Sequence, residues 1–309
     1  MLRGTLLYLS NNRQIRYTAE NFNLAQRMSS RFVAGTTMDD AVRVVRDLNK
    51  QGSLATLDHL GESVETEQDA RRAAQDYLDL LDRVQQTGIQ SNVSLKLTHF
   101  GINIRDELAY ELVASVVDRA RQYGNFVRID MENHPYTDRT LAIYRRLREA
   151  GYANTGVVIQ SYLYRSQNDI RNLMPLGLNV RLCKGAYLEP EDVAFPQKKD
   201  VDANYVALAK LLLSPEARAQ GVYPAFATHD SRMIEIVQLF AAAQKLPKDS
   251  YEFQMLYGVR RDLQRELVKA GHKVRVYVPY GREWYPYFMR RLAERPANVV
   301  FILKNLLKD

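Results

Sequence analysis

The sequence predicts an α/β protein, a (β/α)8 barrel of the TIM type, and three observations lead to this prediction. Short apolar runs of strand type alternate with amphipathic helical stretches through most of the 309 residues. Eight such units can be counted, and each leaves room for the crossover helix that parallel strands need. Together the units occupy about 250 residues, the usual length of such a barrel.

The strands are predicted from apolar residues at alternating positions. The runs with this pattern are Ser53–Leu60, Asn92–Thr98, Phe126–Glu132, Gly156–Gln160, Leu178–Cys183, Pro224–His229, Ser250–Met255 and Lys273–Val278. Helical periodicity occurs between them, at Glu67–Val84, Asp106–Tyr123, Thr137–Ala150, Asp202–Leu213, Ser231–Ala243 and Val259–Ala270. We expect one domain over residues 1–309, with a helical N-terminal arm at 1–50 and the barrel at 51–300.

Local signals mark the beginnings of several helices. Thr37 and Asp230 are candidate N-caps, and Ser166 with Asp169 resembles a capping box. A doubly wound open sheet is the competing architecture, but it usually has a glycine-rich phosphate loop after its first strand. The corresponding segment here reads Gly61-Glu62-Ser63-Val64, which favours the barrel.

Composition limits the classes of function. Hydrophobic residues make up 46% and charged residues 26%, as in an ordinary globular protein. The net charge is +7, but the basic residues are scattered, so nucleic-acid binding is not expected. The single cysteine excludes an internal disulfide, and the five histidines have no metal-ligand spacing. Because no apolar run approaches the length of a bilayer span, we expect a cytoplasmic protein, with at most a peripheral contact at the inner face of the membrane.

Alternation within the strands also predicts which side chains face the barrel interior. The polar, inward sets are Ser94, Lys96 and Thr98; Arg128, Asp130 and Glu132; and Glu252 with Gln254. Branched apolar residues usually fill a barrel, and buried charge is costly unless it is paired. Two interpretations stay open. The set is either an ion-pair network that fills the barrel or a catalytic set at the C-terminal strand ends.

Lys96 itself allows two interpretations. It is a candidate Schiff-base nucleophile, a known use of a barrel lysine. It is also placed to pair with Asp130 on the adjacent strand. The ion pair is favoured, because a Schiff-base lysine needs desolvation rather than a carboxylate neighbour.

Other polar residues at strand ends indicate a ligand with a heterocycle and an anionic group. Gln160 and Gln254 are neutral hydrogen-bonding residues that suit the edge of a flavin or a base, although buried glutamines are also structural. Arg181 and Lys184 place two cations at the end of the fifth strand, and Gly185 allows close approach of the backbone. This motif alone is a weak signal for a phosphate site.

The segment Val274–Leu292 combines a strand with a helix. Its first part alternates, Pro279 and Gly281 interrupt the strand, and a helical pattern follows. One face of that helix carries Tyr287, Arg290 and Arg291 at spacings of three and four. Two guanidinium groups on one face suit bidentate binding of a carboxylate. Solvated surface charge is the alternative.

Seven short motifs occur in order, and together they resemble the proline dehydrogenase family. They are SLKLT, RIDME, QSYL, RLCKGAY, FATHD, EFQML and RVYVPYG followed by FMRRL. The resemblance extends from about Arg31 to the C-terminus and is to a single-function bacterial member. It implies a distorted barrel that holds non-covalent FAD and oxidises L-proline to 1-pyrroline-5-carboxylate. It further implies electron transfer to a membrane quinone and hand-off of the product to a separate 1-pyrroline-5-carboxylate dehydrogenase.

The resemblance also implies roles for individual residues. The substrate groups would be Lys96, Asp130, Tyr187, Leu256, Tyr277, Tyr287, Arg290 and Arg291, of which Lys96, Asp130, Tyr277, Arg290 and Arg291 form the catalytic set. The FAD groups would be Gln160, Arg181, Lys184, Gly185, Ala186, Thr228, His229 and Gln254. Glu62 matches a gate carboxylate that pairs with Arg290, so we expect the last helix to lie over the barrel mouth. Leu188 replaces the aromatic residue that the bifunctional relatives have near the adenine.

Three alternatives are carried forward. The first is a family member that prefers 4-hydroxyproline, against which Tyr277 argues because a phenol at the ring wall leaves little room for a hydroxyl. The second is a barrel lyase that uses Lys96 as a Schiff-base nucleophile. The third is a non-catalytic basic module that binds membrane or nucleic acid.

Overall fold

The computed structural model describes residues 30–294, with side chains as far as Met289. Within this range the predicted barrel is confirmed: eight parallel strands pair in chain order, and the last pairs with the first. The strands are β1 Leu54–His59, β2 Ser91–Leu95, β3 Val127–Ile129, β4 Thr155–Gln160, β5 Asn179–Cys183, β6 Tyr223–Ala227, β7 Glu252–Leu256 and β8 Val274–Tyr280. All eight overlap the predicted runs.

Helices follow the strands and cover the outside of the barrel. They are α1 Met38–Lys50, α2 Glu67–Thr87, α3 Asp106–Gln122, α4 Thr137–Glu149, α5 Ser166–Leu173, α6 Lys198–Leu212, α7 Pro215–Ala219, α8 Ser231–Ala243, α9 Arg261–Lys269 and α10 Trp284–Glu294. Short 3-10 turns lie at His134–Tyr136 and Met174–Leu176. The first part of the predicted N-terminal arm, residues 1–29, lies outside the described residues.

The predicted helix starts are confirmed at two positions and wrong at one. Thr37 caps α1 in a capping box with Asp40, and Asp230 accepts a hydrogen bond from the backbone N–H of Arg232 at the start of α8. Ser166, however, is the first residue of α5 rather than its cap. Its hydroxyl donates to the carbonyl of Gln160 instead (2.6 Å), because β4 ends directly beneath it. The expected box with Asp169 therefore does not form.

The apolar faces of the strands pack outward against the helices, and the lumen is polar, as alternation predicted. Val93, Leu95 and Ile129 are fully buried in the outer layer. Inside, the Arg128 guanidinium donates to the carbonyl oxygens of Val157 and Asn179. Gly156 leaves room for this guanidinium group, since a Cβ atom at position 156 would lie 2.4 Å from Nη1 of Arg128. Burial and the nearby charge of Arg181 lower the pKa of Arg128 to about 9.

A short segment before α1 crosses the C-terminal end of the barrel; we call residues 31–35 the strap. The backbone N–H of Ala34 donates to the Pro279 carbonyl (2.9 Å), and that of Gly281 donates to Gly35 (3.0 Å). Phe32 packs against Phe288 of α10, with ring centroids 6.3 Å apart. The strap thus joins the beginning of the described chain to its last strand and last helix.

Helix α10 lies over the barrel mouth, as expected. It forms one apolar cluster with the strap residues Phe32 and Val33 and with Leu60, which directly follows β1. Tyr287 of this helix is 5% exposed and is as buried as Phe288. Its ring is covered because the helix is held between the strap and the cavity of the barrel.

Candidate active site

A cavity of about 780 Å³ opens at the C-terminal ends of the strands. It is lined by residues of β4 to β8, by Lys96 after β2, by Asp130 and Met131 after β3, and by Tyr287 of α10. Every side chain predicted as a substrate or cofactor group lines it, apart from Arg290 and Arg291. Those two arginines belong to α10, but their side chains lie outside the described residues, so the carboxylate clamp stays a prediction.

Lys96 does not pair with Asp130, and that prediction was wrong. Its Nζ atom binds both carboxylate oxygens of Asp58, at 3.1 and 3.2 Å, and both side chains are buried. Asp58 was missed by the sequence argument, although alternation along β1 places Thr56 and Asp58 inward as clearly as Lys96. The contact also weakens the Schiff-base alternative, because a buried carboxylate stabilises the ammonium form of the lysine.

Asp130 instead binds Arg181 from the opposite side of the lumen. Nη1 of Arg181 lies 2.5 Å from Oδ1 of Asp130, and the Ser94 hydroxyl donates to the same oxygen (2.6 Å). The Tyr277 hydroxyl donates to Oδ2 of Asp130 (2.8 Å). Asp130 therefore fixes a guanidinium and a phenol of the cavity wall at the same time. Burial, followed by the charges of Asp130 and Asp58, raises the pKa of Tyr277 well above its ordinary value, so the phenol stays protonated.

The network continues from Arg181 to the amide of Gln254. Nε of Arg181 donates to Oε1 of Gln254 (2.5 Å), and the Gln254 amide donates to Glu252 (2.5 Å). Glu252 is held in turn by Arg275 of β8 (2.8 Å). The glutamine is thus fixed in one orientation between a cation and a carboxylate. One network therefore supports the barrel and also lines the cavity.

Two buried polar atoms beside the cavity have potential for further hydrogen bonds. Among the described residues, Oε1 of Gln160 and Nη2 of Arg181 have no hydrogen-bond partner. The Gln160 amide nitrogen faces the carbonyl of Glu132 (3.3 Å), which orients the oxygen the other way. An unsatisfied buried polar atom costs about 1–3 kcal/mol, so such atoms often mark a ligand position.

The cations and the histidine at the ends of β5 and β6 are held by protein groups. Nζ of Lys184 binds Asp202 (2.6 Å) and Asp230 (2.9 Å), so its charge is largely compensated. Nε2 of His229 accepts the backbone N–H of Leu256 (2.9 Å), which supports a structural role for this ring. Gly185 has a φ of +110°, and a Cβ there would lie 2.6 Å from the Tyr162 ring. Only glycine allows this approach.

Several lining residues were not predicted. Lys198, Asp230 and Arg260 border the cavity near Thr228. Cys183 is half-buried and also lines the cavity, because β5 ends at this residue. Of these, Asp230 could have been found, since it follows a strand and caps the next helix. Lys198 and Arg260 come from loop geometry that alternation does not encode.

Two features are absent from the described part of the chain. No group of three or more potential metal ligands occurs within it. None of its helices combines the length and the apolar character that a membrane crossing needs. Glu62, the predicted gate residue, is half-buried after β1, and its partner in the prediction, Arg290, lies outside the described side chains.

The closed barrel and the charged cavity at its C-terminal mouth define a (β/α)8-barrel enzyme. The model of the proline dehydrogenase family matches residues 41–304, and proline dehydrogenase 1 of Bacillus subtilis (strain 168) is 42% identical over 308 residues, covering 100% of both chains. The chain belongs to the proline dehydrogenase family. It is an oxidoreductase of the standalone bacterial type and catalyses the first step of proline catabolism.

Further comparisons agree with this assignment. Proline dehydrogenase of Deinococcus radiodurans is 41% identical, covering 100% of this chain and 98% of its own length. Among solved structures, proline utilization A (PutA) of Bdellovibrio bacteriovorus, inactivated by N-propargylglycine, has a TM-score of 0.81 at 24% identity. That similarity covers 94% of this chain and 38% of the other, and it shows that the fold is shared.

Proposed function

We propose that the chain oxidises L-proline to 1-pyrroline-5-carboxylate with non-covalently bound FAD. The observation that carries this proposal is the pair of unsatisfied atoms, Oε1 of Gln160 and Nη2 of Arg181, beside one cavity. A flavin ring carries both N–H donors and carbonyl acceptors along one edge. An amide oxygen and a guanidinium N–H supply the matching acceptor and donor.

The residues present fit FAD in other respects. The cavity volume of about 780 Å³ lies within the range of cofactor sites. The backbone at Gly185, Ala186 and Tyr187 lines one end of it, and Thr228 and Gln254 complete that wall. Lys184 is a weaker candidate for the pyrophosphate than the sequence indicates, because two carboxylates already bind it. When bound, FAD would supply the hydride acceptor.

Other residues of the cavity lining suit a small amino acid with a secondary amine. Leu256, Tyr277 and Tyr287 offer apolar surface for the proline ring, and Tyr187 closes the rim. Lys96 and Asp58 form an ion pair that presents little net charge to the ring. In this proposal Arg290 and Arg291 bind the substrate carboxylate and so fix the ring against Tyr277. Glu62 then acts as a gate by pairing with Arg290.

The Tyr277 phenol in this cavity favours proline over 4-hydroxyproline. The Tyr277 hydroxyl is bound to Asp130, and the Arg181 guanidinium carbon lies 5.2 Å from the centre of the Tyr277 ring. A phenol held from two sides cannot move aside for an added hydroxyl. Discrimination by exclusion of one group is typically worth about 1–3 kcal/mol.

Electron transfer to a membrane quinone and hand-off of the product to a separate 1-pyrroline-5-carboxylate dehydrogenase complete the proposal. Support for a peripheral contact at the cytoplasmic membrane comes from the net charge of +7, since anionic lipids attract basic surfaces. Both assignments rest on the resemblance to the family rather than on a described site.

A visible absorption spectrum tests the proposal. The purified protein should show flavin bands that bleach when L-proline is added without oxygen, and an added soluble quinone should restore them. Equal amounts of trans-4-hydroxy-L-proline should bleach them far more slowly. Absence of flavin after reconstitution with FAD would refute the cofactor assignment, and bands unaffected by L-proline would refute the reaction.

A further inference from the structure

The loop after β5 carries the backbone that lines the cofactor end of the cavity; we call residues 184–197 the β5–α6 loop. Its first residues, Lys184 to Tyr187, border the cavity, whereas Glu189 does not. Its far half pairs with the segment after β4. The backbone N–H of Tyr164 donates to Val193 (3.1 Å), and that of Phe195 donates to Tyr162 (2.8 Å). That half is therefore held by backbone hydrogen bonds and by the ring contact between Tyr164 and Phe195.

The near half of the loop is held at Lys184, whose carbonyl accepts the backbone N–H of Tyr162 (2.9 Å), and beyond the cavity by the carboxylate of Glu189. Oε1 of Glu189 accepts the backbone N–H of His134 (2.9 Å) and the hydroxyl of Tyr162 (3.0 Å). Oε2 lies 2.5 Å from Nδ1 of the His134 ring. The Glu189 side chain is only 2% exposed. It thus joins the loops that follow β3, β4 and β5.

A buried carboxylate at this position needs a reason. Burying a carboxylate is unfavourable, and three hydrogen-bonding groups from two other loops are used to compensate it here. Tyr162 connects these contacts to the cavity. Its hydroxyl is bound to Glu189, and its ring lies against the backbone of Gly185, where a Cβ would approach it to 2.6 Å. Glu189 therefore fixes the hydroxyl end of the ring against which Gly185 packs, and Leu163 and Ala194 pack in the same apolar cluster as Tyr162.

We propose that Glu189 is a positioning residue for cofactor binding, acting through Tyr162 and Gly185 to preform the backbone wall of the FAD site. This inference rests on the proposed function. A loop fixed before binding loses less conformational entropy when the cofactor arrives. Without the carboxylate, the loop loses one of its attachments to the loops after β3 and β4, and the cofactor has to supply more of the order around Gly185 itself.

The test measures the dissociation constant of FAD by quenching of its fluorescence on titration with apoprotein. Glu189→Ala should raise this constant at least tenfold. Glu189→Gln keeps an oxygen acceptor for His134 and Tyr162 and should restore most of the affinity. Tyr162→Phe keeps the ring beneath Gly185 and removes only the hydroxyl contact, so it should have a smaller effect. The KM for proline, measured at saturating FAD, should stay unchanged in all three variants.

Glu191→Ala is the matched control, because this exposed glutamate uses only its backbone carbonyl, as acceptor for the Tyr164 hydroxyl. Its FAD affinity should equal that of the wild type. Wild-type affinity in both Glu189→Ala and Tyr162→Phe would overturn the inference. A parallel rise in the proline KM at saturating FAD would also overturn it, since the defect would then not be confined to the cofactor. A wild-type protein that binds no FAD would refute the proposed function itself.

Discussion

The Nζ atom of Lys96 lies 3.1 Å from Oδ2 and 3.2 Å from Oδ1 of Asp58 inside the barrel. The Asp58 side chain is fully buried, and that of Lys96 is 9% exposed. Neither group can easily find water as a substitute for the other. The pair sits beside the Asp130–Arg181 pair, so two compensated ion pairs form the charged floor of the active site.

Asp58→Ala should be strongly destabilising, because it removes the carboxylate that binds the buried Lys96 ammonium through both of its oxygens. Removing one partner of a buried pair typically costs about 3–5 kcal/mol of unfolding free energy. Urea denaturation measures this loss. The double variant Asp58→Asn/Lys96→Met should be less destabilised than Asp58→Ala alone, because no isolated charge remains.

Asp47→Ala is the control for this prediction. Asp47 pairs with Lys50 on the surface of α1 at 3.4 Å, and both side chains are mostly exposed. Exposed pairs contribute about 0–1 kcal/mol. Equal losses for Asp58→Ala and Asp47→Ala would show that the buried pair does not support the fold.

His99 should make stability depend on pH. Burial, followed by the charges of His59 and Lys96, lowers the pKa of His99 to about 3. The unfolded chain has an ordinary histidine pKa of about 6.5, so below that pH it binds a proton that the native state rejects. The stability from neutral His99 is complete above pH 6.5 and is lost as the pH falls toward 3. The loss between pH 7 and pH 5 should be about 2 kcal/mol.

Unfolding free energies of the wild type and His99→Gln, measured from pH 7 to pH 5, check this prediction. The variant should be less stable at pH 7 but should lose less stability on acidification. If the unfolding free energies of the wild type and the variant change with pH by the same amount, His99 is protonated or exposed in the native state.

Gly258→Ala should displace the strap. Gly258 has a φ of +76°, and a Cβ there would lie 1.7 Å from the carbonyl oxygen of Arg31. The strap would have to move, and α10 would lose its contact with Phe32. We expect a loss of several kcal/mol in stability, beyond the cost of about 1–2 kcal/mol for a left-handed residue. The KM for proline should rise, since α10 carries Tyr287 into the cavity.

Gly124→Ala separates backbone strain from the clash. Gly124 also has a positive φ, +62°, but nothing lies within 4 Å of a Cβ at that position. The free energy of unfolding of Gly124→Ala should fall only by the cost of the backbone conformation, and the variant should keep wild-type kinetics. If thermal denaturation shows the same loss of stability for Gly258→Ala and Gly124→Ala, the strap does not stabilise the helix over the barrel mouth.

Arg291→Met should raise the KM for proline steeply while FAD stays bound. A desolvated charged contact with a carboxylate is typically worth about 2–5 kcal/mol when one partner is removed. Arg282→Met, a change at an exposed arginine near the start of the same helix, should leave KM unchanged. Steady-state kinetics together with the flavin spectrum test this, and unchanged kinetics in Arg291→Met would exclude the clamp.

The barrel could be predicted from the sequence because strand alternation and helix periodicity are local signals. Alternation also identified the inward residues, but it does not say which of them meet across the lumen. Lys96 had carboxylates on both neighbouring strands. Asp130 is held by Arg181 and Tyr277 from distant strands, and the lysine therefore turns to Asp58. Such choices depend on the width and stagger of the barrel, which a linear pattern does not contain.

The Glu189 contacts could not be predicted for a related reason. Glu189 lies in a loop without periodicity, and its partners His134 and Tyr162 belong to two other loops. The position of α10 over the barrel mouth, by contrast, was predictable. Its arginines can serve a substrate only if the helix lies over the mouth, so the functional requirement determined its place.

The strap also has a consequence for the order in which the protein folds. Its hydrogen bonds to Pro279 and Gly281 join segments separated by almost the whole length of the chain, and such distant contacts form late because their loop closure is entropically costly. The cofactor wall on β4 to β7 is encoded in the interior of the sequence and needs no such closure. We therefore expect a newly synthesised chain to acquire its cofactor-binding surface before its substrate pocket. The helix over the mouth would be the last element to become ordered.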